Sequence, residues 1–295
     1  MKTTPSQVLR ACLKEAGALI LEAHGKKKRI KHKGRFNLVT ETDKKSEQLI
    51  VRKILKVFPD HHILAEESGA SSSLSRTPRR RANRAARSDR ASDRRLAKPR
   101  WIIDPLDGTT NFAHGFPMFC VTIGYEVNGK MTAGGVYDPT RDELFFAERG
   151  KGATLNGKPI HVSKTPKLAA SLLCTGFPYD RYNTRRAKYY IGFKEAFISL
   201  CHDIRRTGTA ALDLCYVACG RFDGFWEYYL HPWDVAAAHL IIEEAGGKVT
   251  GYFGEPYRID GKQTLASNGK IHGEMVRVIK GYMRNHKEPD QYEED

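Results

Sequence analysis

The sequence predicts a layered α/β (α+β) sandwich, in which helix pairs alternate with mixed β-sheets. Apolar residues at helical spacing open the 295-residue chain and recur in its second half. Between them, three consecutive segments rich in strand-forming residues and separated by turn signals predict an antiparallel meander. Since no internal repeat is detected, we expect residues 1–286 to form one unit, followed by an acidic tail at 287–295.

The first elements follow from periodicity and from helix-ending residues. Apolar residues at 8, 9, 12, 13, 16, 19, 20 and 23 share one face of a predicted helix over 8–23. A strand over 36–40, a helix over 43–57 and a buried strand over 62–65 are predicted next. We expect Thr42 or Asp43 to cap the second helix and Pro59 to end it.

A basic segment at 71–100 interrupts the predicted core. It contains eleven Arg or Lys residues and two Asp residues, so it carries nine of the fifteen net positive charges of the chain. Almost no large apolar side chain accompanies them, and we expect a disordered insertion. Its role stays open between a solvated loop, an arm that binds nucleic acid or an acidic partner, and a surface that attracts anionic substrates.

The rest of the chain alternates between strands and helices. The predicted elements are a strand at 101–104, a turn with a short helix at 107–110, strands at 119–127, 130–137 and 143–147, a strand at 172–175, a helix at 186–200, a strand at 203–206, a helix at 209–219, a strand at 222–227, a helix at 233–245, strands at 248–250 and 264–266, and a helix at 271–282.

Composition excludes some classes of protein. No apolar run is long enough to span a bilayer, and the first ten residues do not resemble a secretory signal, so we expect a cytoplasmic protein without a membrane partner. The six cysteines form no CxxC pair and are interpreted as reduced structural thiols. Cys215 and Cys219 share a predicted helix face, but a buried pair is favoured over a metal site.

Two carboxylates lie at the end of the predicted strand that precedes a sharp turn. Asp104 and Asp107 flank Pro105, which fixes the backbone, so both acids can point toward one place. Hard oxygen ligands of this kind suit Mg²⁺, and the Leu106 carbonyl could add another. The N–H groups of Gly108 and of the two threonines after it could bind a phosphate oxygen. A turn with a helix cap explains this motif equally well when it stands alone.

Two further acids shift the interpretation toward chemistry. Glu66 ends another predicted buried strand, and Asp234 follows Pro232 and Trp233 where a helix begins. Either acid alone is explained as an exposed residue or a cap. Four acids at the ends of elements are, together, what a two-metal phosphoryl-transfer site requires.

Two long segments resemble the signatures of the inositol monophosphatase family, within the lithium-sensitive, magnesium-dependent phosphatase superfamily. They are Trp-Ile-Ile-Asp-Pro-Leu-Asp-Gly-Thr-Thr-Asn-Phe-Ala-His at 101–114 and Trp-Asp-Val-Ala-Ala-Ala-His-Leu-Ile-Ile-Glu-Glu-Ala-Gly-Gly at 233–247. Shorter matches at 38–43, 63–68 and 208–213 extend the similarity over nearly the whole chain except 71–100. The resemblance implies the sugar-phosphatase fold of that family, in a bacterial-type member.

The resemblance also implies a set of metal ligands and a reaction. The ligands of two or three Mg²⁺ ions would be Glu66, Asp104, the Leu106 carbonyl, Asp107 and Asp234. A metal-activated water would attack phosphorus in line, helped by Glu66 and by the pair of Thr109 and Asp43, without a covalent phosphoenzyme. The expected reaction is hydrolysis of inositol 1-phosphate, with inhibition by Li⁺, in a homodimer.

Substrate contacts carried over from the family are Asp107, Gly108, Thr109, Ala210, Glu227 and Asp234. Glu227 would bind substrate hydroxyls, although an exposed strand-end acid is the alternative. Asp213 would contact the sugar or pair with a neighbour such as Arg206. Lys33 resembles a residue of a mobile loop that closes over the site, although a solvated lysine is simpler.

Other functions stay open at this point. Fructose-1,6-bisphosphatase, histidinol-phosphatase and 3′-phosphoadenosine-5′-phosphate phosphatase activities are alternatives within enzymes. A protein associated with RNA or a transcription complex is the alternative from another class, because some bacterial relatives that resemble this sequence act in antitermination or ribosome biogenesis.

Overall fold

The computed structural model describes residues 3–26, 30–32, 38–71, 98–177 and 184–287. These residues form five layers, in which three helix pairs enclose two sheets. The predicted layered sandwich is therefore confirmed. None of the helices in the described ranges is long and apolar enough to cross a membrane.

Seven α-helices lie in the described residues: α1 (Pro5–Ala23), α2 (Glu41–Val57), α3 (Thr109–Ala113), α4 (Thr184–Ile198), α5 (Ala210–Ala218), α6 (Pro232–Glu244) and α7 (His272–Asn285). The strands are β1 (Ile30–His32), β2 (Leu38–Thr40), β3 (His62–Ala65), β4 (Gly69–Ser71), β5 (Arg100–Asp107), β6 (Cys120–Val127), β7 (Lys130–Asp138), β8 (Glu143–Glu148), β9 (Ala153–Leu155), β10 (Lys158–Ile160), β11 (Leu172–Thr175), β12 (Asp203–Arg205), β13 (Gly224–Tyr228), β14 (Lys248–Thr250) and β15 (Gln263–Ser267).

The larger sheet has eight strands in the order β10-β9-β8-β7-β6-β5-β3-β4. Strands β3 and β5 are parallel, whereas the other neighbours in this sheet are antiparallel. Helices α1 and α2 bury their apolar faces on one side of it, around Trp101 and Ile103. Helices α5 and α6 cover the other side, where Ile102 points. Successive side chains of β5 therefore point in turn into the two hydrophobic cores on either side of the sheet.

The smaller sheet has five strands in the order β12-β11-β13-β15-β14. Its inner face packs on α5 and α6, which are apolar nearly all round because they lie between two sheets. Its outer face is covered by α4 and α7 through an aromatic cluster around Phe193, Phe197 and Trp226. The ends of α5 and α6 therefore meet the end of β5 in the middle of the molecule.

The structure corrects several predicted boundaries. Helix α2 is capped by Thr40, not by Thr42 or Asp43, because Thr40 and Asp43 form a capping box with Asp43 inside the first turn. Strand β4 and the β9–β10 hairpin were not predicted. The hairpin turn places Asn156 and Gly157 at positive φ, which both residues tolerate.

Both ends of the predicted insertion at 71–100 lie in strands. Ser71 ends β4 and Arg100 begins β5, so both ends of that segment belong to the large sheet. Residues 72–97 lie outside the described residues, and the predicted disorder there stays a prediction. Lys33 and residues 288–295 of the predicted acidic tail lie outside them as well.

Candidate functional site

A β-bulge near the end of β5 brings two acids to the same face of the sheet. Asp104 pairs with Thr122 and Asp107 pairs with Cys120, so three steps along β5 match two steps along β6. In a regular strand, residues three apart point to opposite faces. The extra residue lies between them, where Pro105 has no N–H for the ladder. Asp104 and Asp107 therefore project together, as the sequence predicts.

Asp104 is almost fully buried and faces other acids. Its Oδ1 accepts a hydrogen bond from the Leu106 N–H at 3.0 Å. Burial raises the pKa of Asp104 well above its usual value, and the charges of Glu66, Asp107 and Asp234 raise it further. All four acids of the predicted cluster are thus neighbours in the fold.

Asp107 is tied to the N-terminus of α5. Its Oδ2 accepts hydrogen bonds from Thr209 Oγ1 at 2.6 Å and from the Ala211 N–H at 2.9 Å. Burial raises the pKa of Asp107, and these two bonds oppose the increase. A carboxylate has two oxygens, so holding Oδ2 fixes the direction of Oδ1.

Glu66 and Asp234 reach the cluster from different elements. The N–H of Glu66 bonds to the Ile103 carbonyl at 3.2 Å, because β3 and β5 are parallel and end side by side. Asp234 lies in the first turn of α6, and its Oδ2 accepts a bond from the His231 N–H at 2.7 Å. Burial raises the pKa of Asp234 well above its usual value, and the charge of Asp107 raises it further.

A second pair of predicted residues meets on the other side of β5. Thr109 Oγ1 lies 3.1 Å from Asp43 Oδ1 and 3.0 Å from the Leu106 carbonyl oxygen. The other oxygen of Asp43 accepts bonds from the backbone and hydroxyl of Thr40. Burial raises the pKa of Asp43. Gly108 has φ +90°, and a Cβ there would lie 2.9 Å from the Met118 carbonyl, so only glycine fits this turn.

Two residues that the sequence analysis missed hold α2 against the site. Ser46 Oγ donates to the Pro105 carbonyl at 2.8 Å, and Glu47 Oε2 accepts from the Glu67 N–H at 2.8 Å. With Asp43 they form one buried polar face at i, i+3 and i+4, in line with buried Ile50. That spacing is a signal readable from sequence, since polar residues that continue an apolar face need partners.

A small pocket of ≈ 70 Å³ lies between β5, α5, β13 and α6. It is lined by Asp107, Gly176, Phe177, Arg206, Gly208, Thr209, Ala210, Asp213, Glu227, Leu230 and Asp234. Of the predicted substrate contacts, Gly108 and Thr109 are outside this lining. Gly176, Phe177, Arg206 and Leu230 were not predicted as lining residues, because they come from loops without a recognisable motif.

Two buried carboxyl groups form the floor of this pocket. Burial raises the pKa of Glu227 to about 8, and the charge of Asp213 raises it too. Burial likewise raises the pKa of Asp213 well above normal, while its bond from Thr207 Oγ1 at 2.7 Å and the charge of Arg206 lower it. Glu227 is buried, so its alternative as an exposed acid is wrong.

The donor set of the cluster fits a hard divalent cation in kind. It consists of carboxylate oxygens and the Leu106 carbonyl, it contains no soft ligand, and its acids raise the pKa of one another. Within the described residues, no three His, Cys, Asp or Glu side chains already converge at ligand distance. The fit therefore rests on the chemistry of the donor atoms.

Known proteins resemble this chain over most of its length. A model of the inositol monophosphatase family matches residues 3–284. The chain is 44% identical to an inositol-1-monophosphatase of Synechocystis sp. over 268 residues, which covers 90% of this chain and 84% of that protein. It is 40% identical to the Nus factor SuhB of Pasteurella multocida over 241 residues, which covers 82% of each.

Solved structures show the same architecture. The extragenic suppressor protein SuhB of Bartonella henselae superposes with a TM-score of 0.81 at 36% identity, covering 92% of this chain and 97% of that one. An inositol monophosphatase of Anabaena superposes with a TM-score of 0.77 at 40% identity, covering 94% and 95%.

Proposed function

Because the chain belongs to the inositol monophosphatase family, we propose that it hydrolyses inositol 1-phosphate to inositol and phosphate in a Mg²⁺-dependent reaction. The family makes the protein a phosphatase, a phosphoric monoester hydrolase. The substrate and the ion are the proposal. The observation that carries it is the cluster of buried Asp104 with half-buried Asp107 and Asp234, which lies beside the pocket that ends at Glu227.

In this proposal the metal ligands are those implied by the sequence: Glu66, Asp104, the Leu106 carbonyl, Asp107 and Asp234. A bound divalent ion supplies positive charge that lowers the pKa of the attacking water and offsets charge on the phosphoryl and leaving oxygens. Support comes from the mutual effect of these acids on their pKa values. Buried like charges are costly unless a bound cation offsets them.

Thr109 and Asp43 orient the attacking water and take its proton in our proposal. The hydroxyl of Thr109 can accept a hydrogen bond from water while it donates its own proton toward Asp43 Oδ1, 3.1 Å away. Because Asp43 Oδ2 is bonded to Thr40, the carboxylate cannot turn away. Glu66, which follows the neighbouring strand β3, would help from the metal side of the cluster.

Glu227 and its neighbours select the alcohol part of the substrate in our proposal. Asp107, Ala210, Glu227 and Asp234 surround one small pocket, whose polar groups suit a molecule with several adjacent hydroxyls. A Cβ at Gly176 would lie 2.2 Å from both oxygens of Glu227, so any side chain there would displace the carboxyl group. Gly108 and Thr109, which lie outside the pocket lining, would contact the phosphate in our proposal, and the Gly108 N–H also bonds to Asp107.

A substrate panel tests this proposal. The full chain is supplied with Mg²⁺ and with inositol 1-phosphate, fructose 1,6-bisphosphate, histidinol phosphate or 3′-phosphoadenosine 5′-phosphate, and phosphate release is measured. We expect the highest kcat/KM for inositol 1-phosphate and inhibition by Li⁺. If kcat/KM is higher for one of the other three substrates, inositol 1-phosphate is the wrong substrate, and the protein is still a phosphatase.

A second candidate function is association with a transcription complex. It is favoured by the 40% identity to a Nus factor and by the positive charge concentrated at 71–100. Because Ser71 and Arg100 belong to the sheet, the deletion that tests this function is 72–97. Loss of RNA affinity and of its salt dependence, with unchanged Mg²⁺-dependent turnover, would show that both functions reside in one chain. RNA binding that is absent from the intact chain, or unaffected by the deletion, would remove this role of the segment.

Two further parts of the proposal concern assembly and location. We propose a homodimer, which sedimentation equilibrium would test. A cytoplasmic location stays a prediction from the sequence, because one relative at 39% identity is named a chloroplastic phosphatase and the family alone does not set the compartment.

A further inference from the structure

The side chain of Thr209 makes an unusual pair of contacts at the start of α5. Its hydroxyl donates to Asp107 Oδ2 at 2.6 Å and accepts from the Leu212 N–H at 3.2 Å. The second contact is an ordinary N-cap. The first joins residues 102 positions apart in the chain. The Thr209 hydroxyl therefore donates its proton to an acid of the cluster, while its oxygen caps the helix.

We propose that Thr209 is a positioning residue that sets the affinity of the cluster for Mg²⁺ by holding the carboxylate of Asp107. This inference rests on the proposed function, in which Asp107 is a metal ligand. Thr209 and the Ala211 N–H both bind Oδ2, which leaves Oδ1 as the oxygen that neither of them holds. Groups that orient a ligand in this way typically contribute about 10- to 100-fold to metal affinity.

The surroundings leave the Asp107 carboxylate little room to rotate. The Cys120 sulfur is fully buried and lies 3.8 Å from Asp107 Oδ2 and 3.7 Å from Thr209 Oγ1. Together with Thr209 and the Ala211 N–H, it is a third group packed against Asp107 Oδ2.

The loop that carries Thr209 is itself fixed relative to β5. Asn111 Nδ2 donates to the Thr207 carbonyl at 2.9 Å and to the Met118 carbonyl at 2.8 Å. Gly208 has φ +95°, and a Cβ there would lie 2.8 Å from Asn111 Nδ2. The hydroxyl of Thr209 thus approaches Asp107 from a rigid support, which a positioning residue requires.

The test measures Mg²⁺ binding by calorimetry on the full chain. In Thr209→Val the hydroxyl is lost, and we expect the Kd for Mg²⁺ to rise by about tenfold or more, whereas Thr209→Ser retains both bonds and restores the wild-type value. Thr209→Gly is a second variant for the case that the valine variant does not fold, since glycine keeps most of the N-cap preference but has no hydroxyl.

A matched control separates positioning from capping. Thr4 caps α1 on the outside of the molecule, where its side chain accepts from the Gln7 N–H. Thr4→Val should lower the unfolding temperature without changing the Kd for Mg²⁺. Asp107→Asn, measured alongside, should weaken Mg²⁺ binding at least as much as Thr209→Val.

The outcomes distinguish this inference from the proposed function. If Asp107→Asn weakens Mg²⁺ binding but neither Thr209→Val nor Thr209→Gly does, the positioning role is wrong and the metal site stands. If Asp107→Asn leaves the Kd unchanged, the metal site itself is wrong. If Thr4→Val weakens Mg²⁺ binding as much as Thr209→Val, the effect reports stability and the positioning role is again wrong.

Discussion

The polar cluster around His272 and the acid cluster around Asp104 differ in whether their groups are matched. In the outer layer, His272 is buried with Nε2 at 2.9 Å from Thr250 Oγ1 and Nδ1 at 2.8 Å from Ser267 Oγ. Both ring nitrogens have a hydroxyl partner. In the middle of the molecule, Asp104 is buried and Asp234 is half-buried among further acids that raise the pKa of both.

The difference separates a structural cluster from a functional one. A matched polar cluster completes a fold and needs nothing more. A buried cluster with an excess of one charge costs stability on its own, and such sites concentrate where ligands or metal ions bind. Substitutions in the acid cluster should therefore lower activity, whereas substitutions in the matched cluster around His272 should lower stability.

The largest expected effect is that of Asp234→Asn, which should lower kcat for inositol 1-phosphate by about 10³-fold or more, since metal-assisted charge stabilisation is worth several kcal/mol. Its unfolding temperature should stay the same or rise, because one like charge leaves the cluster. Steady-state phosphate release and thermal unfolding measure both.

Asp223 is the matched control, because it is a buried aspartate whose oxygens accept bonds from the Leu172 N–H and Ser163 Oγ. Asp223→Asn should lower stability and leave kcat nearly unchanged. The reverse pattern in the two variants would break the comparison between matched and unmatched clusters.

The next effect in size is that of Thr109→Val, which removes the hydroxyl between Asp43 and the Leu106 carbonyl. We expect kcat to fall by about 10²-fold, a usual contribution of positioned proton transfer, with a smaller change in KM. Thr154→Val, on a strand far from the acids, loses a bond to Phe146 and should keep wild-type turnover. Equal turnover in both variants would remove Thr109 from the reaction.

A smaller effect is expected at the pocket floor. Glu227→Gln should reduce kcat/KM for inositol 1-phosphate by about tenfold, the value of a hydrogen bond to a charged or strongly polar group. For para-nitrophenyl phosphate, which has no polyol, the change should be within about twofold of wild type. A uniform loss on both substrates would indicate that Glu227 acts on the reacting phosphate instead.

The smallest effect on activity is expected at His272. Burial lowers the pKa of His272 to about 4, and the charge of Lys248 lowers it further. Between pH 6.5 and 4 the unfolded chain binds a proton that the folded chain does not, so the free energy of unfolding falls as the pH falls through this range.

The variant His272→Gln tests that effect. It should cost about 1–3 kcal/mol at pH 7, since two buried hydroxyls lose a partner. The difference from wild type should shrink below pH 6.5, with kcat unchanged at pH 7. Urea unfolding at several pH values measures it. A stability difference that is independent of pH would contradict the neutral, matched state of this histidine.

The sequence singles out Asp104, Asp107 and Asp234 because they lie inside two long motifs, and Glu66 because it ends a predicted strand. It predicts less well what holds them. The bulge between Asp104 and Asp107 is defined by pairing with β6, and the bond from Thr209 to Asp107 joins distant parts of the chain. Such contacts depend on tertiary packing, which periodicity does not contain.

Some local features were nevertheless present in the sequence. Thr40 and Asp43 have the spacing of a capping box, and Asn156-Gly157 is a strong hairpin signal. The wrong cap at Thr42 or Asp43 followed from placing the helix start two residues late. Ser46 and Glu47 continue an apolar helix face, which marks them as residues with buried partners.

The measurement that tests the central claim most directly is phosphate release from inositol 1-phosphate by the metal-stripped full chain as Mg²⁺ is added, with Asp104→Asn in parallel. We expect the wild type to show no turnover without Mg²⁺ and saturable activation as Mg²⁺ is added. The folded Asp104→Asn variant should not be activated at any Mg²⁺ concentration. Turnover by the metal-stripped wild type, or full activation of Asp104→Asn, would contradict the central claim.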